Sequence, residues 1–191
     1  MTVVSMPARL FLLLLLALAG SESFGKIYYS KTEAMKLAFG DDFQVETLPL
    51  FFTDEQILKI ERLARVKVDS AFFTFYVGRD QDKILGYAAI ETHNVRTKPE
   101  TLLIVLTPGG KPNAIHVLAF HEPPEYQPPD RWFAQFYHRV LEVLDFNKEI
   151  HGITGATLSA RGALSSVRKV MAIYQIVMPA KEATEHVVNS K

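Results

Sequence analysis

The chain predicts an α+β fold: an antiparallel sheet of about four or more strands, flanked by helices. Three observations carry this. Four apolar or aromatic runs, 71–77, 83–92, 100–107 and 113–121, follow one another through short polar links. Such short links between consecutive strands imply antiparallel pairing. A stripe then recurs every three or four residues near the C-terminal end, through Ala160, Ala163, Leu164, Val167, Val170, Met171, Tyr174, Val177 and Met178. That is the apolar face of an amphipathic helix. Last, Thr53-Asp54-Glu55-Gln56 is a capping box ahead of Ile57, Ile60, Leu63 and Ala64, which marks an earlier helix.

Composition bounds the classes open to this fold. The chain has 191 residues, 48% of them apolar, enough for one domain with a small extension. Lys+Arg and Asp+Glu balance at 21 each with no dense basic block, which argues against nucleic acid as a partner. Arg9 precedes the apolar run 10–19, and Ala17-Leu18-Ala19 gives an A-x-A pattern before Gly20. Residues 1–19 read as a secretory signal peptide, with an uncleaved anchor as the competing reading, and place the protein in the periplasm or another extracytoplasmic space. There is no cysteine, so disulfides, thiolate metal sites and iron–sulfur ligation are excluded.

Taken in order, residues 31–39 form a short helix, and 41–52, which contains Pro49, reads as irregular. The helix behind the capping box completes an N-terminal helical extension, 20–66, with Phe51 or Phe52 placed to staple onto it. The first strand, 71–77, ends in a turn at 78–82; in the second, Gly86 marks a bulge or a close approach. Pro108-Gly109-Gly110-Lys111 turns the chain between the third and fourth strands. A proline-rich loop follows, and Asp130 caps a helix over 131–144 with Trp132, Phe133, Phe136, Tyr137 and Val140 at helical spacing. Pro179 ends the final helix, leaving 179–191 as a polar tail.

The six histidines show no metal-binding spacing, and no nucleophile elbow, P-loop or dinucleotide fingerprint is present. The chemistry-bearing stretch lies instead at Thr154-Gly155-Ala156-Thr157-Leu158-Ser159, where the long helix begins with Thr154 or Ile153 near its cap. A helix start carries unpaired N–H groups and a partial positive charge, which attract phosphate. Arg161, four residues beyond Thr157, is on the same face and able to pair with that phosphate. Gly155 and Ala156 leave the backbone approachable. Taken alone, so short a string is also an ordinary helix cap.

This stretch resembles the flavinylation motif of the FMN-binding domain, as found in the FMN-carrying subunits of bacterial quinone- and ferredoxin-linked reductase complexes. The family pattern runs Asp-x-x-Ser/Thr-Gly-Ala-Thr-x-Ser/Thr. Thr154, Gly155, Ala156, Thr157 and Ser159 match it in register, and His151 stands where the family has Asp. Gly86-Tyr87-Ala88, Lys98-Pro99 and the later glycine turn follow the family's strand course, so the resemblance covers 71–178 loosely and is sharp at Thr154–Ser159, and it implies an FMN-binding domain over 67–178. Where the family often has Glu-Thr-Pro-Gly against the flavin, this chain has Glu122-Pro123-Pro124-Glu125-Tyr126.

The resemblance implies a covalent FMN cofactor, joined to Thr157 as a phosphoester by a flavin transferase that uses FAD. His121, Glu122, Tyr126 and Trp132 are then the candidates for contact with the flavin, since an isoalloxazine ring needs apolar walls and a few polar groups at its edge. The expected role is an exported electron carrier, exchanging electrons with redox proteins or a quinone-linked membrane complex. Two alternatives share the fold. One is a flavin-dependent reductase of a small substrate, with His121 or Glu122 as proton donor. The other is a non-redox binding or assembly module.

Overall fold

The computed structural model describes residues 26–146 and 148–189, with side chains described as far as Pro179. The signal-peptide segment 1–19 lies outside the described residues. Among the described residues there are six strands and four helices: β1 (Lys26–Ile27), α1 (Lys31–Phe39), β2 (Gln44–Phe51), α2 (Asp54–Ala64), β3 (Phe72–Asp80), β4 (Lys83–Asn94), β5 (Pro99–Leu106), β6 (Pro112–Phe120), α3 (Asp130–Phe133) and α4 (Thr157–Asn189). The strands form one sheet in the order β1-β6-β5-β4-β3-β2, with every neighbouring pair antiparallel. The fold is therefore α+β, with the four strands legible in the sequence at its centre.

Two strands were not legible. The 41–52 stretch, read as irregular, contains β2, which pairs with β3 from Gln44↔Arg79 to Phe51↔Phe72. Pro49 is tolerated because β2 is an edge strand, where a missing N–H need not break a second ladder. β1 occupies the other edge against β6. The segment read as a helical extension thus supplies both edges of the sheet as well as α1 and α2.

Two helices, α1 and α2, are locally encoded at their starts. Ser30 and Glu33 form a capping box on α1, with the Ser30 N–H donating to Glu33 Oε2 at 2.7 Å. Thr53 and Gln56 do the same on α2, with the Thr53 N–H donating to Gln56 Oε1 at 2.9 Å. Such a cap contributes about 0.5–2 kcal/mol.

The alternation of strand side chains sorts the core into two layers. Phe75, Val77, Tyr87, Ala89, Leu102, Ile104 and Leu106 face α2 and α4 and meet Ile60, Ala163, Val167, Val170 and Met171. Ala88, Leu103, Val105 and Leu118 face the other way and meet Ala34 and Phe39 of α1. Gly86 is a close-approach point: a Cβ there would lie 2.4 Å from the Leu106 carbonyl oxygen. The bulge falls across from it, at Gly78/Arg79.

Two helical expectations change. The 131–144 segment is not one helix. α3 is a single turn, followed by 3-10 turns at Ala134–Phe136 and Leu141–Val143, and His138 sits at φ 60° between them. The His138 N–H donates to the Pro112 carbonyl at 2.7 Å, so the start of β6 takes a bond that a continuous helix would have kept. The broken path also buries Trp132, Phe133, Phe136, Leu141 and Leu144 together. Conversely, α4 does not stop at Pro179 but carries it inside a helix that runs to Asn189. No helix among the described residues is long and apolar enough to cross a membrane.

Candidate functional site

The helix that bears the threonine motif begins at Thr157, so its cap position is Ala156, two or three residues past the cap expected at Thr154 or Ile153. The delay has a local cause. The Ile153 carbonyl accepts from the Ala156 N–H at 3.1 Å, closing a turn, and Gly155 within it takes φ +89°. Side chains rarely adopt that conformation, and Gly supplies it without strain. Ala156 then becomes the residue whose carbonyl takes the first helical bond, from the Ala160 N–H at 3.0 Å.

This turn divides the motif into two sets. Ala156 and Ser159 are buried, and the Ser159 hydroxyl donates to the Tyr126 carbonyl at 2.5 Å. Thr154, Gly155 and Thr157 are exposed. The Thr157 hydroxyl donates to the Ile153 carbonyl at 3.2 Å, which leaves its lone pairs toward solvent. Near Gly155 the closest foreign atom to an added Cβ would be the Glu125 carbonyl oxygen, 4.0 Å away, so the approach is open.

A recess of about 180 Å³ lies beside Thr157, walled by Val95, Arg96, Tyr126, Gly155, Leu158 and Ser159 among others. One of its walls is fixed by a group that does not line it. Glu122 accepts from the Thr97 N–H at 2.8 Å and from the Lys98 N–H at 3.0 Å, and so holds the turn that presents Arg96. The Thr97 N–H bond, with those of neighbouring residues, keeps this carboxyl below the usual glutamate range. The Arg96 guanidinium stands 5.5 Å from the centre of the Tyr126 ring.

The remaining expected contacts serve as scaffolding. The Trp132 indole N–H donates to the His151 carbonyl at 2.7 Å, and the His151 N–H donates to Gln135 Oε1 at 2.9 Å, fixing the chain that leads into the motif. Trp132 is itself buried against Phe133 and Phe136. His121 pairs with β5, its N–H donating to the Pro99 carbonyl at 3.1 Å and its ring Nδ1 lying 3.2 Å from the same oxygen. Arg161 lies over the Phe146 ring at 4.4 Å. Of the four proposed flavin contacts, only Tyr126 lines the recess; Arg96, on the turn after β4, was not singled out by sequence.

A second polar cluster lies further along α4. Tyr76↔Ala88 is the β3–β4 pair nearest the end of β4, whereas β4 stays paired with β5 as far as Asn94↔Pro99. Residues 89–94 thus form an edge that β3 leaves uncovered. Glu91 and His93 point from it toward α4, where Lys169 forms an ion pair with Glu91 and the Ser166 hydroxyl lies 3.0 Å from His93 Nδ1. His93 Nε2 is 3.0 Å from Oε2 of the fully buried Glu100. Glu91 Oε2, His93 Nε2 and both Glu100 carboxyl oxygens lack a partner at hydrogen-bond geometry, although two of these contacts are ion pairs by distance. Burial pushes the Glu91 carboxyl up, and Lys169 opposes that rise.

Among the described residues no group of three His, Asp or Glu side chains is placed to hold a metal ion. Comparison with protein families, with curated proteins and with solved structures finds no match.

Proposed function

We propose that this protein carries FMN as a phosphoester on Thr157 and serves as an extracytoplasmic electron carrier. The observation that carries the reading is the placement of Thr157: an exposed hydroxyl at the first residue of α4, beside a recess that contains Arg96. The first N–H groups of the helix have no intrahelical acceptor and favour a phosphate there. Arg96 adds a formal positive charge at the same recess. Gly155 keeps the backbone on the approach side clear, for an attaching enzyme as well as for the group attached.

The attachment balances without an oxidant. Thr157 Oγ forms a bond to phosphorus while the bond between the two phosphates of FAD breaks; AMP leaves and the hydroxyl proton is released. Thr157 is a tether in this reading and needs a flavin transferase to activate it. When bound, the flavin supplies one- and two-electron transfer. For the small-substrate reductase alternative, the N–H donors that hold the Glu122 carboxyl below its usual range leave His121 as the better proton donor of the two. Electron partners would be redox proteins or a quinone-linked membrane complex, and the apolar run 10–19 supports export.

The test is intact mass after expression with a flavin transferase, wild type beside Thr157→Ala. Wild type should gain the mass of FMN less one water, and the variant should not. An unmodified wild type, in cells that label a control flavoprotein, would sink the proposal.

A further inference from the structure

The sheet forks between β3 and β4. Their ladder ends at Tyr76↔Ala88, yet β3 stays paired with β2 as far as Phe51↔Phe72, and β4 with β5 as far as Asn94↔Pro99. Residues 72–75 and 89–94 therefore face one another across a gap that their ladder does not close.

The backbone groups that point into the gap follow from the alternation of antiparallel pairs. The Phe52 N–H donates to the Ala71 carbonyl at 2.8 Å, which makes Phe51↔Phe72 a pair without mutual hydrogen bonds. Phe72 and Thr74 thus turn their N–H and C=O groups away from β2 and into the gap. The Ser70 hydroxyl closes that side at Phe72, accepting from its N–H at 3.0 Å and donating to its carbonyl at 3.1 Å. Across the gap the Val95 N–H donates to the Lys98 carbonyl at 3.1 Å, so Asn94↔Pro99 is a pair of the same kind. Counting back by twos, Asn94, Thr92 and Ile90 turn their N–H and C=O groups away from β5 and toward the gap. Thr92 and Asn94 are exposed and Ile90 is half-buried, so this edge is open to an added strand.

The two faces of the gap differ. On the α1 face a recess of about 370 Å³ is walled by Phe72, Thr74, Tyr76 and Ile90 among others. Phe51 is 77% exposed, and its ring lies 5.2 Å from that of Phe72, extending the apolar wall. On the α4 face a recess of about 340 Å³ is walled by Lys67, Asp69, His93, Asn94, Ser165 and Lys169 among others. Lys67 and Lys169 each pair with one carboxylate, Glu61 and Glu91, whose side chains are only 18% and 9% exposed. An ammonium has three donors, so both lysines keep capacity for a further carboxylate.

We infer that the gap is a docking site for an extended segment of a partner protein in which apolar residues alternate with acidic ones. The segment adds to the β4 edge at Ile90, Thr92 and Asn94 through its backbone. Successive side chains of a strand point to opposite faces, so the apolar set enters the recess at Phe72 and Ile90 while the acidic set meets Lys67 and Lys169. Neither recess includes Thr157, so this surface is separate from the proposed tether.

The test uses the full chain and two fluorescein-labelled peptides, acetyl-Val-Glu-Val-Glu-Val-Glu-amide and the same peptide with Lys for Glu. Binding is read by fluorescence anisotropy and by amide hydrogen exchange. In the free protein the Ile90 and Thr92 amides should exchange faster than those of Glu91 and His93, which bond to β5. The glutamate peptide should bind and slow the Ile90, Thr92 and Asn94 amides, and the lysine peptide should not. Thr92→Pro removes an N–H that faces the gap and leaves the β5 ladder intact, so it should weaken binding about tenfold. Lys67→Glu, at an exposed position, should weaken it several-fold, with thermal unfolding confirming that both variants fold. No binding of the glutamate peptide, equal binding of both peptides, protection confined to the outer edge of β2, or unchanged affinity in both folded variants would each overturn the inference. Gap amides already protected in the free chain would also overturn it: another part of the chain then fills the gap, or a second copy if protection rises with protein concentration.

Discussion

α4 buries charge in two places, and the two are built on opposite terms. Arg168 points toward α2 and the 3-10 turn at Leu141–Val143. Its Nε donates to the Ala64 carbonyl at 2.7 Å, Nη2 to the Leu63 carbonyl at 2.9 Å, and Nη1 to the carbonyls of Leu141 and Leu144. Two of these are orphan carbonyls at the C-terminal end of α2, where the helix dipole also favours a cation. On another side of α4, the part-exposed Lys169 pairs with Glu91 and His93 pairs with Glu100, contacts that are ion pairs by distance but fall short of full hydrogen-bond geometry. A satisfied buried ion acts as a fastener, since nothing remains for a ligand to supply. A pair held by distance alone is a weaker fastener, because the desolvation of its charges offsets much of their attraction.

The largest expected effect separates the two. Arg168→Ala removes the donor to the carbonyls of Leu63, Ala64 and Leu144, leaving Leu141 with only the Leu144 N–H, and should cost about 3–5 kcal/mol, measured by urea unfolding. Arg168→Lys should recover little, because one ammonium cannot reproduce the fork of the guanidinium. If Arg168→Ala unfolds at nearly the wild-type midpoint, the fastener half of the comparison is lost.

Gly162→Ala acts at the boundary. Its Cβ cannot coexist with His93 in its present place, so the imidazole must move, at a cost of about 1–3 kcal/mol. The shift should appear in the His93 ring resonances, and unchanged resonances would argue against the close packing.

The Lys169 cluster should respond weakly to loss of charge. Glu91→Gln combined with Lys169→Gln removes two desolvated charges and keeps both shapes, so thermal stability should stay within about 1 kcal/mol of wild type or rise. A loss as large as that of Arg168→Ala would make this cluster a fastener too.

The smallest and most local effect is a pH dependence at Glu122. Hydrogen bonds from the Thr97 and neighbouring N–H groups hold its carboxyl below the usual range, so the folded state binds fewer protons than the unfolded one between the two values. The stabilisation is complete above the unfolded value and is lost as pH falls through the folded one. Amide exchange at Thr97 and Lys98, corrected for its intrinsic pH dependence, should therefore quicken on acidification, and in Glu122→Gln it should be fast already near neutrality.

Much of this was readable along the chain. The four central strands, the turn at Pro108–Lys111, α1, α2 and the amphipathic stripe of α4 follow from periodicity and capping within a few residues. The candidate attachment residue follows from a short motif at a helix start. β2 was missed because Pro49 and an exposed face look like a loop until an edge position explains them. The 131–144 helix was over-read because aromatic spacing is the same for a helix as for a chain broken by the His138 bond to Pro112.

By itself, then, the sequence determined the type of the four central strands and of α1, α2 and α4, and singled out Thr157 as a candidate, because those depend on residues a few positions apart. Tertiary structure decided which polar groups became walls and which became struts. Glu122, Trp132 and His121 were turned into supports by partners found across the fold, on the 97–98 turn, at His151 and on β5. Arg96 and Thr157 were brought to the same recess from positions 61 residues apart in sequence. No local pattern encodes such a pairing, because hydrogen bonds and ion pairs are selected by proximity after the sheet and α4 have packed.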